Sequence, residues 1–166
     1  MATANQNLSD HDPSKVPSAE GMKMAIVVAE WNAEITENLK KGAVSTLLKY
    51  GLKEEDLLVE YVPGSYELPS AAQFILKAKE VDAVICLGCV IQGETKHFDF
   101  VCEAVSQGVK DVSLKYNKAV IFGVLTDNHI DQSRARSGGA LGNKGDEAAV
   151  SAIKMVALKK SLESGI

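Results

Sequence analysis

The sequence predicts a three-layer α/β/α sandwich whose four-stranded parallel sheet has the strand order 2-1-3-4. Short runs rich in β-branched residues alternate with longer segments of helical period, and the third run is apolar on both faces. Right-handed crossovers between parallel strands place helices on both faces of such a sheet. A length of 166 residues fits one domain, and a hydrophobic content of 46% is enough to bury a core.

The first two β-α units are predicted from apolar runs and from the residues that end them. The first strand is expected at residues 25–29, and the helix after it carries apolar residues four positions apart until Gly51 ends it. The second strand is expected at residues 57–62. The next helix begins near Pro69, because proline suits a first helical turn.

The third and fourth units complete the predicted sheet. The third strand is expected at residues 83–91, apolar residues at helical spacing follow over residues 98–112, and the fourth strand covers residues 119–125. A glycine-rich break at residues 138–145 then divides the C-terminal helical region in two. The last helix is predicted at residues 146–162.

Composition predicts the domain organisation and excludes several classes of partner. Residues 1–22 are polar with almost no apolar periodicity, so we expect a flexible N-terminal tail outside the core and a domain over residues 23–166. The net charge of −4 and the lack of a basic stripe make nucleic acid an unexpected partner. No apolar stretch approaches the roughly 20 residues that span a bilayer, so we expect a cytoplasmic protein with no membrane partner.

The three cysteines are predicted to be free thiols. Their odd number favours this state in a reducing compartment. Cys86 and Cys89 could suggest a metal site, but positions three apart in a strand point to opposite faces and converge poorly on one ion. We therefore predict no metal at this pair, and Cys102 is the third thiol.

The predicted topology selects the loops in which a ligand site should lie. In an open parallel sheet, ligands bind beyond the carboxyl ends of the strands, which here are followed by residues 30–32, 64–67, 89–97 and 126–128. The third loop combines a glycine, a hydroxyl, a cation and a histidine at a helix start, where backbone N–H groups and the helix dipole favour an anion. This pattern predicts a metal-free site for a small phosphorylated substrate, although Gly93 could simply serve a turn and Thr95 could cap the helix.

The polar and aromatic residues of these loops each allow a functional and a simpler interpretation. His97 is a candidate acid/base, or a surface or capping group. Trp31 and Tyr66 could stack on a planar heterocycle or pack against the following helix. Glu67 could bind a polyol or only favour the helix dipole. Arg136, like Arg134, could bind phosphate or only be exposed.

Several familiar sites are absent from the sequence. No G-x-G-x-x-G follows the first strand, and no G-x-x-x-x-G-K-[ST] is present, so dinucleotides and nucleoside triphosphates are not expected. A phosphoacceptor response-regulator domain shares the sheet order, but the third strand ends in Gly88 and Cys89 where that family has its aspartate.

Three segments resemble one known family. They are VPGSYELP at residues 62–69, GCVIQGETKHFD at residues 88–99, and RSG with GNKG at residues 136–138 and 142–145. Together they resemble the 6,7-dimethyl-8-ribityllumazine synthases, and the similarity runs from about residue 24 to residue 162. The resemblance implies condensation of 5-amino-6-(D-ribitylamino)uracil with 3,4-dihydroxy-2-butanone 4-phosphate, the penultimate step of riboflavin biosynthesis, with no metal or organic cofactor.

The resemblance also implies a role for each site residue. Trp31 would stack on the pyrimidine beside Asn32, and other residues would hold its ribityl chain and ring edge: Ser65, Tyr66, Glu67, Cys89, Val90 and Ile91. Glu94 and Thr95 would contact the phosphorylated substrate, His97 would transfer protons and Arg136 would bind phosphate. The site would lie between subunits of a pentamer, the neighbour supplying Phe122, Arg136 and Lys144.

The resemblance leaves the final assembly and two other functions open. The glycine link at residues 138–145 resembles members that form a 60-subunit shell, but Gly139 and Ala140 depart from the Thr-Lys common there. Cys89, Gln92 and Ala135 also depart from the frequent Thr, Arg and Glu. A non-catalytic riboflavin- or lumazine-binding protein would need neither His97 nor Arg136. A structural shell protein would lose the polarity of the crevice.

Overall fold

A computed structural model of the chain describes residues 7–165, and it confirms the predicted architecture. Four parallel strands form one sheet in the order β2-β1-β3-β4: β1 (Met24–Ala29), β2 (Leu57–Val62), β3 (Ala83–Ile91) and β4 (Ala119–Asp127). The principal helices are α1 (Ala33–Lys49), α2 (Leu68–Ala78), α3 (His97–Tyr116), α4 (Ile130–Arg136) and α5 (Lys144–Glu163).

The helices cover both faces of the sheet and create two apolar cores. Side chains of α1 and α5 pack with one face of the central strands, and side chains of α2 and α3 pack with the other. Every residue of β1 is buried, as is expected for a strand between two parallel neighbours. Cys86 and Cys89 lie in opposite cores, so the strand spacing predicted their directions correctly.

The helices α1 and α5 approach each other closely through small residues. A Cβ atom added at Gly145 would overlap the carbonyl oxygen of Leu39, and one added at Gly42 would meet the Asn143 side chain at 2.5 Å. Residue 145 therefore has to be glycine for α5 to pack at this depth. The close packing fixes the start of α5 against the sheet.

The exclusion of residues 1–22 from the core was wrong for part of that segment. Val16, Ala19 and Met22 are buried in the core shared with α1, and the Ala19 N–H donates to the Tyr50 carbonyl oxygen at 2.7 Å. These apolar residues cover the C-terminal end of α1, a contact that local periodicity could not indicate. The flexibility predicted for the tail and the domain boundary at residue 22 stay predictions, and residues 1–6 lie outside the described chain.

The glycine-rich link also contains structure that the sequence did not predict. Two very short strands, β5 (Ser137–Gly139) and β6 (Gly142–Asn143), pair in antiparallel fashion between α4 and α5. The helix α5 starts at Lys144, two residues before the predicted start. Within residues 7–165, no helix is long and apolar enough to cross a bilayer.

Candidate active site

A crevice of about 670 Å³ opens at the carboxyl edge of the sheet, where the topology predicted a site. Its walls come from the ends of β1 and β3, the turn between β2 and α2, and the loop and first turn of α3. We call it the first crevice. It brings together ten of the predicted site residues: Trp31, Asn32, Ser65, Tyr66, Glu67, Cys89, Val90, Ile91, Thr95 and His97.

The aromatic side chains of the first crevice are available to a ligand. Trp31 is 72% exposed and Tyr66 is 59% exposed. A tryptophan packed against the helix after it would be largely covered, so this exposure argues against the staple interpretation. Asn32 adopts a left-handed conformation with φ of 61°, and its side-chain N–H donates to the Cys89 carbonyl at 2.9 Å. This bond ties the end of β1 to the end of β3.

A buried hydroxyl without a hydrogen-bond partner lies in the wall of the first crevice. The Oγ atom of Ser65 is buried, and no acceptor or donor of the described chain lies within bonding distance. An unsatisfied buried polar group costs about 1–3 kcal/mol. This oxygen has almost no accessible surface and points toward Gly88 of β3, where an added Cβ would lie 2.5 Å from it. Ser65 therefore lines the first crevice through its other atoms.

The replacement Gly88→Ala is expected to lower the free energy of unfolding by about 2 kcal/mol, because it overpacks this wall. The new Cβ would lie 2.5 Å from Ser65 Oγ and 3.0 Å from Leu68 Cδ1, and both of these side chains are buried. Urea denaturation at fixed protein concentration measures the effect.

The matched control is Gly64→Ala, in which the added Cβ meets only the Glu67 carboxylate at 3.2 Å. That carboxylate is the end of a flexible, exposed side chain and can move away. Equal stability of the Gly88→Ala and Gly64→Ala proteins would contradict the packing argument.

The loop before α3 places a hydroxyl and a histidine at the rim of the first crevice. Thr95 Oγ1 accepts a hydrogen bond from the His97 backbone N–H at 3.3 Å, whereas the N-cap position of α3 is Lys96, whose side chain makes no capping bond. His97 is the first residue of α3 and is exposed. Glu94 is exposed and does not line the first crevice. Of this loop, Gly93, Thr95 and His97 face the ligand space.

Cys89 is held in a buried chain of hydrogen bonds beneath the first crevice. Its thiol donates to Ser133 Oγ at 3.3 Å, and the Ser133 hydroxyl donates to Asp127 Oδ2 at 2.8 Å. Desolvation by burial raises the pKa of the Cys89 thiol, and it raises that of Cys86 to about 12. Both groups therefore stay protonated near neutral pH, and Cys89 contributes its backbone and its packing rather than a nucleophile.

Phe122, Lys144 and Arg136 do not line the first crevice. Phe122 and Lys144 line a separate recess of about 450 Å³ beside β4 and α5, which we call the second recess. It shares no lining residue with the first crevice, and Lys144 Nζ lies 2.9 Å from Glu147 Oε1 there. Arg136 ends α4 and donates to the Gln132 carbonyl at 3.0 Å.

The structure distinguishes the two arginines that the sequence left equivalent. Arg134 is engaged on the surface, with its guanidinium 2.8 Å from Glu34 Oε1 and 3.0 Å from Asp131 Oδ1. Arg136 is half-buried, and within residues 7–165 its side chain makes only the bond to the Gln132 carbonyl. Arg136 is therefore the better candidate for binding an anion.

Sequence reasoning missed four contributors to the first crevice and the chain beneath it. Phe98 and Val101 were interpreted only as core positions of a helix, yet both are half-buried and line the first crevice together with Phe100. Ser133 is fully buried under the site. The helical spacing of Phe98 and Val101 could have indicated a shared face, but no local pattern indicated that Ser133 contacts Cys89.

Comparisons with known proteins agree on one family. The profile of the family described as 6,7-dimethyl-8-ribityllumazine synthase matches residues 21–160. A 6,7-dimethyl-8-ribityllumazine synthase of Parabacteroides distasonis is 55% identical over 94% of this chain and 98% of its own length. Proteins of the same name from Cytophaga hutchinsonii and Phocaeicola vulgatus are 54% and 49% identical, over 95% and 98% of this chain and 98% and 97% of their own lengths.

Proposed function

The chain belongs to the 6,7-dimethyl-8-ribityllumazine synthase family, and we propose that its first crevice and its second recess each supply half of a composite active site. The enzyme condenses 5-amino-6-(D-ribitylamino)uracil with 3,4-dihydroxy-2-butanone 4-phosphate and releases phosphate and water. The observation that carries the site assignment is the first crevice, in which an exposed indole, an exposed phenol and a histidine line one space.

The first crevice receives the pyrimidine substrate. Trp31 stacks on its ring, because an exposed indole at a strand end offers a flat apolar face to a planar heterocycle. Ser65, Tyr66 and Glu67 bind the ribityl hydroxyls, since all three line the first crevice and the side chains of Tyr66 and Glu67 are exposed. Backbone groups of residues 89–91 meet the edge of the ring.

The phosphorylated substrate lies between the rim of the first crevice and cationic groups of a neighbouring subunit. Glu94 and Thr95 contact it from one side, while Phe122, Arg136 and Lys144 approach from the neighbour. Phe122 and Lys144 line the second recess, which shares no residue with the first crevice, and this separation within one chain supports the proposal.

We propose a pentamer as the active unit. β4 is an edge strand of the sheet, and Phe74, Phe100 and Leu114 are each at least 65% exposed, so they offer apolar area to a neighbour. Sedimentation analysis distinguishes a pentamer from a monomer and from the 60-subunit shell that the glycine link resembles.

The proposed mechanism uses proximity and proton transfer. The 5-amino group attacks the ketone and one water leaves to form an imine. The imine then eliminates phosphate, and ring closure onto the remaining carbonyl releases a second water. His97, at the rim of the first crevice, moves protons in these steps. Holding both reactants in one site supplies much of the rate, and the cationic groups stabilise the departing phosphate.

The test of the function is lumazine formation followed by absorbance, with the spontaneous condensation subtracted. Wild type is expected to exceed the uncatalysed rate. Binding of riboflavin or of the lumazine product without any acceleration would instead support a non-catalytic binding protein.

The replacement Arg136→Ala tests the phosphate assignment. We expect the KM for the phosphorylated substrate to rise by about 30-fold, since a charge-assisted hydrogen bond contributes roughly 1.5–3 kcal/mol. The KM for the pyrimidine should change little. Steady-state kinetics with each substrate varied in turn measures both.

Arg134→Ala is the matched control, because it removes an arginine two residues away that pairs only with surface carboxylates. It is expected to leave both KM values near those of wild type. Equal effects of the two replacements would refute a specific role for Arg136.

A further inference from the structure

The described part of the N-terminal segment contacts the hairpin that links α4 to α5. The Leu8 N–H donates to the Leu141 carbonyl at 2.7 Å. The Ser9 hydroxyl accepts from the Asn143 N–H at 2.9 Å and donates to Asp146 Oδ2 at 2.5 Å. One serine therefore bonds residues on both sides of Lys144.

Gly142 permits this close approach. It has a φ of 78°, and an added Cβ would overlap the Asn7 side chain and lie 2.6 Å from the Ser9 nitrogen. A side chain at this position would be strained by the backbone conformation and would also displace the N-terminal segment. The hairpin is thus shaped to receive that segment.

The N-terminal segment is itself anchored to the body of the domain. The two ring nitrogens of His11 lie 2.9 Å from the Ser9 carbonyl oxygen and 2.7 Å from the Tyr50 hydroxyl. Further along, Val16 and Ala19 are buried in the core beside α1. The neighbours of Ser9 in the segment are therefore bound to the domain body, while the Ser9 side chain bonds the hairpin and the start of α5.

The hairpin connects these contacts to both proposed cationic groups. The Leu141 N–H donates to the carbonyl of Ala135, the residue before Arg136, at 2.8 Å. Asn143 caps α5 by accepting from the Gly145 N–H at 2.8 Å, and its side chain also donates to the Asn38 carbonyl at 2.9 Å. Lys144 lies between Asn143 and Gly145, which this capping bond joins. Movement of the hairpin would shift both Arg136 and Lys144.

We propose that Ser9 is a positioning residue, which holds the hairpin at residues 137–143 so that Arg136 and Lys144 face the phosphorylated substrate. Ser9 acts through the backbone of Asn143 and the carboxylate of Asp146. The inference rests on the proposed role of the two cationic residues in phosphate binding. It gives residues 7–11 a function that composition alone did not suggest.

The experiment compares Ser9→Ala with Ser14→Ala in the full chain. Ser14 lies in the same segment, but its described side-chain and N–H bonds reach only Asp12. Ser9→Ala is expected to raise the KM for the phosphorylated substrate about fivefold, with little change in the KM for the pyrimidine. Ser14→Ala should match wild type in both.

Two further measurements do not depend on turnover. In Ser9→Ala, hydrogen exchange of the Asn143 amide should become faster than in Ser14→Ala, since this amide donates to Ser9. Affinity for inorganic phosphate, measured by calorimetry, should fall by a similar fivefold factor. Faster exchange of the Asn143 amide, with unchanged phosphate affinity and an unchanged KM for the phosphorylated substrate, would show that the contact is purely structural. That result would overturn the proposal.

The outcomes also separate this inference from the proposed function. Equal rises in both KM values would point to a general disturbance and would overturn a role specific to the phosphate side. If wild type showed no synthase activity, the proposed function would fail. Phosphate affinity that still fell only in Ser9→Ala would then keep Ser9 as a positioning residue for an anion site.

Discussion

The replacement Gly145→Ala is expected to lower the free energy of unfolding by about 3 kcal/mol, because the new methyl group has no space. It would overlap the Leu39 carbonyl oxygen and lie 3.0 Å from the Ala43 nitrogen. Both are backbone atoms of α1, so relief requires α1 and α5 to separate. Alanine gains only about 1 kcal/mol of helix propensity over glycine, and the steric cost dominates.

Urea denaturation at fixed protein concentration measures the change, and Gly93→Ala is its control. A Cβ at Gly93 would meet no atom within 4 Å, so its stability should stay close to that of wild type. A Gly145→Ala protein as stable as Gly93→Ala would disprove the close packing of α1 on α5. Because Gly145 follows Lys144, we also expect the folded fraction of Gly145→Ala to use the phosphorylated substrate poorly.

The second large effect is expected from His97→Ala, which should lower kcat by about 100-fold, since acid/base catalysis contributes about 10²–10⁴. His97 lines the rim of the first crevice and is exposed, so its removal should cost little stability. Steady-state kinetics after subtraction of the spontaneous reaction gives kcat and both KM values. The two KM values should stay near those of wild type, because neither substrate depends on His97 for affinity.

Added imidazole provides the control for His97→Ala. If the lost group is a proton carrier, imidazole in the assay should restore part of kcat, with greater rescue at higher concentration. No rescue together with a raised KM would indicate that His97 only shapes the first crevice. A kcat within a few-fold of wild type would remove His97 from the mechanism.

Local sequence patterns predicted the sheet because each strand and helix has its own signal. The runs at residues 57–62 and 83–91 coincide with β2 and β3, and the crossover rule then gave the observed order of strands. The carboxyl-edge rule placed the first crevice correctly. Membership of the lumazine synthase family was predicted from three motifs, of which two lie at the carboxyl ends of β2 and β3 and the third spans the hairpin before α5.

Contacts between distant parts of the chain were not predictable in the same way. Arg134 and Arg136 look equivalent in sequence, but Arg136 is half-buried, whereas Arg134 pairs on the surface with carboxylates that include Glu34, 100 residues away. Ser9 bonds Asp146 across 137 residues, in a segment whose composition predicted a flexible tail. The periodicity of a local segment does not indicate which distant residues will form such pairs.

The sequence by itself thus determined the four strands of the sheet and the principal helices, the order of the strands, the edge at which the first crevice opens, and the family. The tertiary structure alone decided that Trp31 and His97 share the first crevice while Phe122 and Lys144 lie in the second recess. It also decided that residues 7–11 dock on the hairpin. The physical reason is that secondary structure depends on neighbouring residues, whereas a site depends on side chains that only folding brings together.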